Sequence, residues 1–413
     1  RNLNKSIKDL KIGIIKEGKV PPDFRVALTP KQCRQIQETF NGVHISVQKS
    51  PIRTYKDEEY ANEGIELVDN LDHCDLIIGV KEVNLEDLIP NKSYMFFSHT
   101  FKKQSYNRIL LQEILKRKIR LIDYEVIKDK RNVRLIGFGR YAGIVGCYNG
   151  FRTFGLKHDL YELKPANQCN DRKEVEQELK KVVLPPNFRV VLTGFGRVGH
   201  GAREIMELLP IKEVKPEEYL KSSYNEPIFT HLEVEDYFDK IDGGTFIRKE
   251  FYTHPELFKQ GFQKYVPISD MYIPCHYWNS NSPKILKQED LASEDNRISV
   301  VADISCDIAD PIASTLRPSK ISNPIYGYDP KNGQEVEDYK KKGIIAVMAV
   351  DNLPCELPKD ASEDFGNELI KHVIPAIIGD DPDQIIERAS QTNLEGKLMP
   401  AYEYLNDYVA GIE

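Results

Sequence analysis

The 413-residue sequence has no apolar run approaching the roughly 18 to 20 residues that a membrane-spanning helix needs. Its opening stretch, RNLNKSIKDLK, lacks the apolar core of a secretory signal and has no initiator Met. A trimmed chain that stays in the cytoplasm is therefore expected. Basic charge is not in excess: the net charge is −7, which argues against general nucleic-acid or anionic-membrane binding. A local basic pocket for a small anion remains compatible with it. Seven cysteines are scattered at Cys33, Cys74, Cys147, Cys169, Cys275, Cys306 and Cys355, with no C-x-x-C pair and no zinc spacing. They are expected to be reduced thiols that fill the core, so neither a bound metal nor a disulfide framework is expected. Internal repeats and low-complexity segments are also missing.

What is present is strand–helix alternation. KIGIIKE (11–17), VHISVQ (43–48), DLIIGV (75–80), YMFFSH (94–99) and IRLIDYE (119–125) read as strands. TPKQCRQIQETF (29–40) opens as a helix at Thr-Pro, and YKDEEYANEG (55–64) reads as a short helix stopped by glycine. SYNRILLQEILKRK (105–118) is expected to be amphipathic, with Ile109, Leu110, Ile114 and Leu115 on one face. GRYAGIVGCYNGFRTFG (139–155) reads as a small-residue helix able to cross between domains. A second alternating block runs through FRVVLTG (188–194), MYIPC (271–275), ISVVADIS (298–305) and GIIAVMAV (343–350). Residues 215–265 have no clean period and are expected to be an elaboration of short helices. A further helix begins near Asp360, Ala361 and Ser362. The expected fold class is α/β, with parallel sheets of the doubly wound type.

The segment FRVVLTGFGRVGHGAREIMELL places Gly194, Gly196 and Gly199 in G-x-G-x-x-G spacing between a strand and a helix. Gly194 then allows the tight turn, Gly196 the close approach of a pyrophosphate, and Gly199 the packing of helix on strand. Arg197 and Val198 complete the turn, and the helix N-terminus offers free N–H groups to phosphate. A merely structural turn is the competing reading. Glu213, 19 residues after Gly194, is the expected acceptor for the adenosine ribose and favours NAD, while Lys212 and Lys215 beside it would suit the 2′-phosphate of NADP. A solvated strand end is the plainer account of Glu213.

Three of the strand readings in the first block run into ionisable groups: Lys81 and Glu82 after the first, His99 at the end of the second and Glu125 at the end of the third. If the strands are parallel, these converge on one edge, where open α/β sheets bind ligands. A desolvated lysine and a histidine are both suited to proton transfer near neutral pH. Arg25 and Arg134 lie in flanking loops and could grip carboxylates bidentately. Taken singly, each of these groups has an ordinary surface explanation: an ion pair between Lys81 and Glu82, a strand-capping histidine, an exposed arginine salt bridge.

Six fragments together (FRVALTP, IIGVKEV, FFSHTFKKQ, IRLIDYE, FGRYAG and VVADISCD with VDNLPCELPKDAS) resemble the alanine dehydrogenase, transhydrogenase and saccharopine dehydrogenase superfamily. The likeness is strongest to the L-lysine-forming saccharopine dehydrogenases and to the lysine–ketoglutarate reductase half of aminoadipic semialdehyde synthase. It runs through GAREIMELLPIKEVKPEEYL to ERASQTNLEGKLMPAYEYL, nearly the whole chain. The resemblance implies two Rossmann-like domains with a cleft between them: a discontinuous substrate domain, 1–143 plus 352–413, and a dinucleotide domain, 144–351. It implies Lys81 and His99 as the acid–base pair, Glu82 and Glu125 around the amine, and Arg25 and Arg134 on the dicarboxylate. Asp351 would lie near the nicotinamide, with Asp303 and Ser305 at a strand end beside the cofactor. The implied reaction interconverts saccharopine with L-lysine and 2-oxoglutarate using NAD or NADP. Alanine dehydrogenase, acting on pyruvate and ammonia, and a non-catalytic nucleotide binder are the alternatives.

Overall fold

The computed structural model describes residues 9–307 and 310–412. Most of the N-terminal stretch read as lacking a leader, residues 1–8, lies outside the described residues. The chain divides into two compact units, 1–138 with 358–413, and 139–357.

The first unit is built on a six-stranded parallel sheet. Its strands are β1 (Leu10–Ile14), β2 (Val43–Gln48), β3 (Glu66–Val68), β4 (Leu76–Ile78), β5 (Ser93–Phe96) and β6 (Arg120–Asp123). They lie in the order β3-β2-β1-β4-β5-β6. The central strands are apolar almost throughout, as a sheet covered on both faces requires. The helix Pro30–Thr39 begins at a capping box: Gln32 N–H donates to Thr29 Oγ1 at 3.3 Å and Thr29 N–H donates to Gln32 Oε1 at 3.0 Å. The helix at 108–116 buries Leu110, Leu111 and Ile114, while Ile109 is 58% exposed. The buried stripe thus differs from the expected one, and a 3₁₀ turn at Ser105–Asn107 precedes the helix. The C-terminal helix Pro358–Glu368 returns to this unit. There Phe365 stacks on Phe138 at 4.4 Å and Ser362 Oγ accepts the Val26 N–H at 3.0 Å.

The second unit holds an eight-stranded sheet. Its strands are β7 (Arg189–Thr193), β8 (Lys212–Glu213), β9 (Ile228–Leu232), β12 (Met271–Pro274), β13 (Val300–Ala302), β14 (Ile325–Asp329), β15 (Gln334–Val336) and β16 (Ile345–Met348). Their order is β15-β14-β16-β13-β12-β7-β9-β8. A separate antiparallel pair, β10 (Phe238–Lys240) and β11 (Phe258–Gln260), sits in the irregular region. In this order the neighbours from β16 to β8 are parallel, and β14 runs antiparallel to both of its neighbours, β16 and β15. Residues 215–265 do contain short helices, but also β9, a fully buried strand directly beside β7.

The helix Gly139–Lys157 lies wholly in this unit rather than crossing between domains. It packs on the helix Arg197–Leu208 through reciprocal glycines. A Cβ on Gly143 would stand 1.9 Å from Val198 O, and one on Gly201 would stand 2.0 Å from Arg140 O. Two backbones this close leave no room for any side chain. None of the seven cysteines forms a disulfide; six are buried and Cys306 is half-buried.

Candidate active site

In the first unit the sheet continues past its formal strands. Gly79 N–H donates to Met95 O at 2.9 Å and Phe97 N–H donates to Val80 O at 3.0 Å. Lys81 and Ser98–His99 therefore leave the ladder side by side, and Glu125 leaves the adjoining β6. Asp123, fully buried, ties these two exits together. Its Oδ2 accepts from Ser98 N at 2.8 Å and His99 N at 3.3 Å, and its Oδ1 accepts from Glu125 N at 2.8 Å. His99 is held at φ 57°, in the left-handed region. That conformation costs a non-glycine residue about 1–2 kcal/mol and persists where neighbours enforce it.

The side chains then pair. His99 Nδ1 meets Glu125 Oε1 at 3.1 Å, and Lys102 Nζ lies 3.2 Å from Glu125 Oε2. Burial works to raise the Glu125 carboxyl, but His99, Lys102 and Arg134 outweigh it and hold it at about 2. An ionised Glu125 on Nδ1 fixes the tautomer that keeps Nε2 for exchange with a substrate. Arg134 is exposed and acts on Glu125 through its charge. Lys81 and Glu82 do not pair with each other: Glu82 meets Lys19 at 3.3 Å, and the Lys81 ammonium makes no ion pair among the described residues. Arg25 is buried under Phe138, its guanidinium 4.3 Å from the ring centroid. Its Nε and Nη2 donate to the two oxygens of Asp23 at 3.0 and 2.7 Å. That bidentate fork is already occupied by a protein carboxylate.

Glu17 is a group that strand-end reasoning passed over. It follows β1 as Lys81 follows β4, and its carboxylate accepts the Lys81 N–H at 2.7 Å and the Val80 N–H at 3.2 Å. Burial pushes it up to about 7 against those hydrogen bonds. The signal was present: KIGIIKE is itself an apolar run ending in an ionisable residue.

In the second unit the glycine turn joins β7 to the helix Arg197–Leu208, whose N-cap is Gly196. Gly194 sits at φ 101°, and a Cβ there would meet Cys275 O at 2.4 Å. A Cβ on Gly199 would stand 1.9 Å from Gly194 O. A Cβ on Gly196 would meet nothing within 4 Å. Open space in front of bare helix amides is the cradle a dinucleotide pyrophosphate needs, so these residues fit that group. His231 supports the turn from below: its Nε2 lies 2.5 Å from Gly194 O and its ring stacks on Phe195 at 3.6 Å. His276, buried beside the turn, is bound at Nδ1 by Thr193 Oγ1 at 2.9 Å, and its Nε2 has no hydrogen-bond partner among the described residues. Burial drives both imidazoles down, to about 4 for His231 and about 3 for His276, so both are neutral. Neither histidine carries a local sequence signal, since each sits inside a segment whose apolar residues dominate the pattern.

Glu213 does not stand where an acid at the end of the neighbouring strand was expected. It lies on the outer strand β8, level with Phe229 and, through β9, with Val190, well short of the turn. It is paired to Arg203. The strand beside β7 is β9, and the acid that follows it is Glu233, whose Oε2 is 3.1 Å from Arg248 Nη2. Asp303 is fully buried, and its Oδ1 accepts from Ser305 Oγ at 2.5 Å and from Cys306 N at 3.1 Å. Thr315 donates to its other oxygen, so the Asp303 carboxylate is engaged by Ser305, Cys306 and Thr315. Ser305 and the exposed Asp351 follow β13 and β16 at the same edge as the turn. Arg197 and Val198 open the helix.

Residues 13–145 match the family "Alanine dehydrogenase/PNT, N-terminal domain". The chain is similar over 97% of its length to a solved L-alanine dehydrogenase at a TM-score of 0.65 and 17% identity, covering all of that chain. The family match covers residues 13–145, and the likeness to the solved structure shows the fold that the chain shares with it. The chain is 30% identical, over 95% of its own length, to an alpha-aminoadipic semialdehyde synthase of Arabidopsis thaliana. It is 25% identical, over 85% of its length and 87% of the relative's, to a saccharopine dehydrogenase [NAD(+), L-lysine-forming] of Neurospora crassa. The chain spans 41% of the length of the Arabidopsis relative. No helix among the described residues is long and apolar enough to cross a membrane.

Proposed function

We propose that the chain interconverts saccharopine with L-lysine and 2-oxoglutarate, as a pyridine-nucleotide-dependent saccharopine dehydrogenase. The observation that carries this reading is the His99–Glu125 pair at 3.1 Å beside Lys81, on three adjacent parallel strand ends. In the direction that consumes lysine, the ε-ammonium must lose a proton before its nitrogen attacks the keto carbon. His99 Nε2, with Nδ1 held by Glu125, takes that proton. The carbinolamine then loses water, and Lys81 donates the proton that makes hydroxide leave as water. A pyridine nucleotide, which the Gly194, Gly196 and Gly199 turn would hold, would supply the hydride that reduction of the imine requires. Glu82 and Arg134 bind and orient the charged ends of the substrates. Glu125 acts through His99 rather than on the amine directly, and Arg25 acts by fixing the loop with Asp23. General acid–base steps of this kind contribute about 10²- to 10⁴-fold each.

The cofactor reading is NAD, with Glu233 rather than Glu213 accepting the adenosine ribose hydroxyls. Arg248, held by Glu233 at 3.1 Å and Glu235 at 2.8 Å, is the cation that a 2′-phosphate would have to recruit away from them. A spectrophotometric assay decides the substrate. NADH and NADPH, tested separately, should be consumed with L-lysine plus 2-oxoglutarate. Consumption with pyruvate plus ammonium alone would replace this reading by alanine dehydrogenase. Nucleotide binding without turnover of either pair would leave only a nucleotide binder.

A further inference from the structure

The edge of the six-stranded sheet opposite the candidate site holds a cavity of about 590 Å³. Leu10, Ser93 and Arg120 line it, and these are the first residues of β1, β5 and β6. Lys81, His99 and Glu125 follow the last residues of their strands, at the other edge. Ile122, Ile377 and Ile386 give the cavity aliphatic walls.

Its charges are arranged unequally. Arg120 donates from Nε to Ser390 Oγ at 3.0 Å, and its guanidinium makes no ion pair among the described residues. Asp381 and Glu387 attract it electrostatically from beyond ion-pair distance. Asp381 is already used, accepting the Ile385 and Ile386 N–H groups at 2.8 and 3.0 Å. Asp75 likewise accepts the Lys11 N–H at 2.9 Å. Glu387 is exposed, and its carboxylate makes no ion pair among the described residues. An anion alone would meet more carboxylates than cations here. A cation alone would leave the desolvated Arg120 fork unfilled. A zwitterion with a hydrocarbon body satisfies both groups and the walls.

We propose that this cavity binds an aliphatic α-amino acid, with its carboxylate on the Arg120 guanidinium, its ammonium toward Glu387 and its side chain against Ile122, Ile377 and Ile386. The site is separate from the chemistry proposed above, so binding here leaves the catalytic groups untouched.

Hydrogen–deuterium exchange on the whole chain tests it, with L-norleucine, hexanoate and hexylamine as probes. Norleucine should slow exchange across residues 376–399 in a saturable way, and the other two should not at the same concentration. Arg120→Gln should weaken that protection by about tenfold or more, the loss of one charge-assisted pair. Because Arg120 opens β6, Glu387→Gln, at an exposed position, supplies a variant that folds, and it should weaken protection as well. The proposal is overturned if norleucine leaves 376–399 unprotected or protects only 79–82 and 97–99. It is equally overturned if hexanoate protects as well as norleucine, or if both variants bind norleucine like the parent chain.

Discussion

The two units work at the same edge of their parallel sheets by different means. In the first, adjacent strands end in side chains that touch one another: Glu17 on the Lys81 amide, His99 on Glu125, Asp123 beneath both. In the second, the corresponding edge is made of backbone: a left-handed Gly194, a bare helix start, and neutral imidazoles that prop the turn. Side-chain sites tolerate a substitution and lose chemistry. At Gly194 and Gly199 the backbone site tolerates almost none, because the added atoms collide with main chain before any chemistry is reached.

Lys81→Met should separate the two most sharply. Turnover should fall by about 10²- to 10⁴-fold, measured as NAD(P)H consumption, with dinucleotide affinity unchanged by fluorescence titration. Unchanged turnover would remove Lys81 from the site. Gly199→Ala is the counterpart in the other unit. A Cβ 1.9 Å from Gly194 O has to displace the helix, so nucleotide affinity should fall by more than about tenfold and the melting temperature should drop. Retention of both values would mean that the turn is looser than described.

Glu17 gives a pH-dependent effect of intermediate size. Its folded carboxyl sits near 7, above its ordinary value of 4.5, so the folded chain binds more protons than the unfolded one between those values. Stability should therefore fall as pH rises from about 4.5 to 7. Glu356, raised to about 7 by burial that outweighs its hydrogen bond from Asn149, adds to the same slope. Urea midpoints across that range should fall less steeply for Glu17→Gln than for the parent, and equal slopes would put Glu17 elsewhere. The smallest effect expected is on cofactor choice. Glu233→Gln should shift the ratio of kcat/KM for NADH over NADPH toward NADPH by about tenfold, the worth of one charged hydrogen bond, while Glu213→Gln leaves the ratio alone. The reverse pattern would return the ribose to Glu213.

How far this edge could be read from the residues follows the same division. Strand ends in the first unit were visible because an apolar run that stops at a charge is a local pattern, and even Glu17 obeys it. The glycine turn was visible for the same reason. What escaped was order along the second sheet. IFTHL (228–232) is buried on every residue, and a strand covered on both faces shows no alternation to betray it. With β9 unseen, the first acid after the turn's helix, Glu213, took the place that belongs to the strand beside β7. Similarly, the grip of Asp23 on Arg25 could not be inferred, since which partner occupies a guanidinium is settled by folding and not by spacing.

The rims of that second sheet bear on how copies of the chain could associate. Its outermost strands are β8, two exposed charged residues, and β15, three residues of which two are exposed. Neither rim presents a flat, apolar ladder, so a neighbour seeking to extend the sheet finds almost nothing to hydrogen-bond along. Extension of this sheet by strand pairing with a neighbour is therefore disfavoured at both rims.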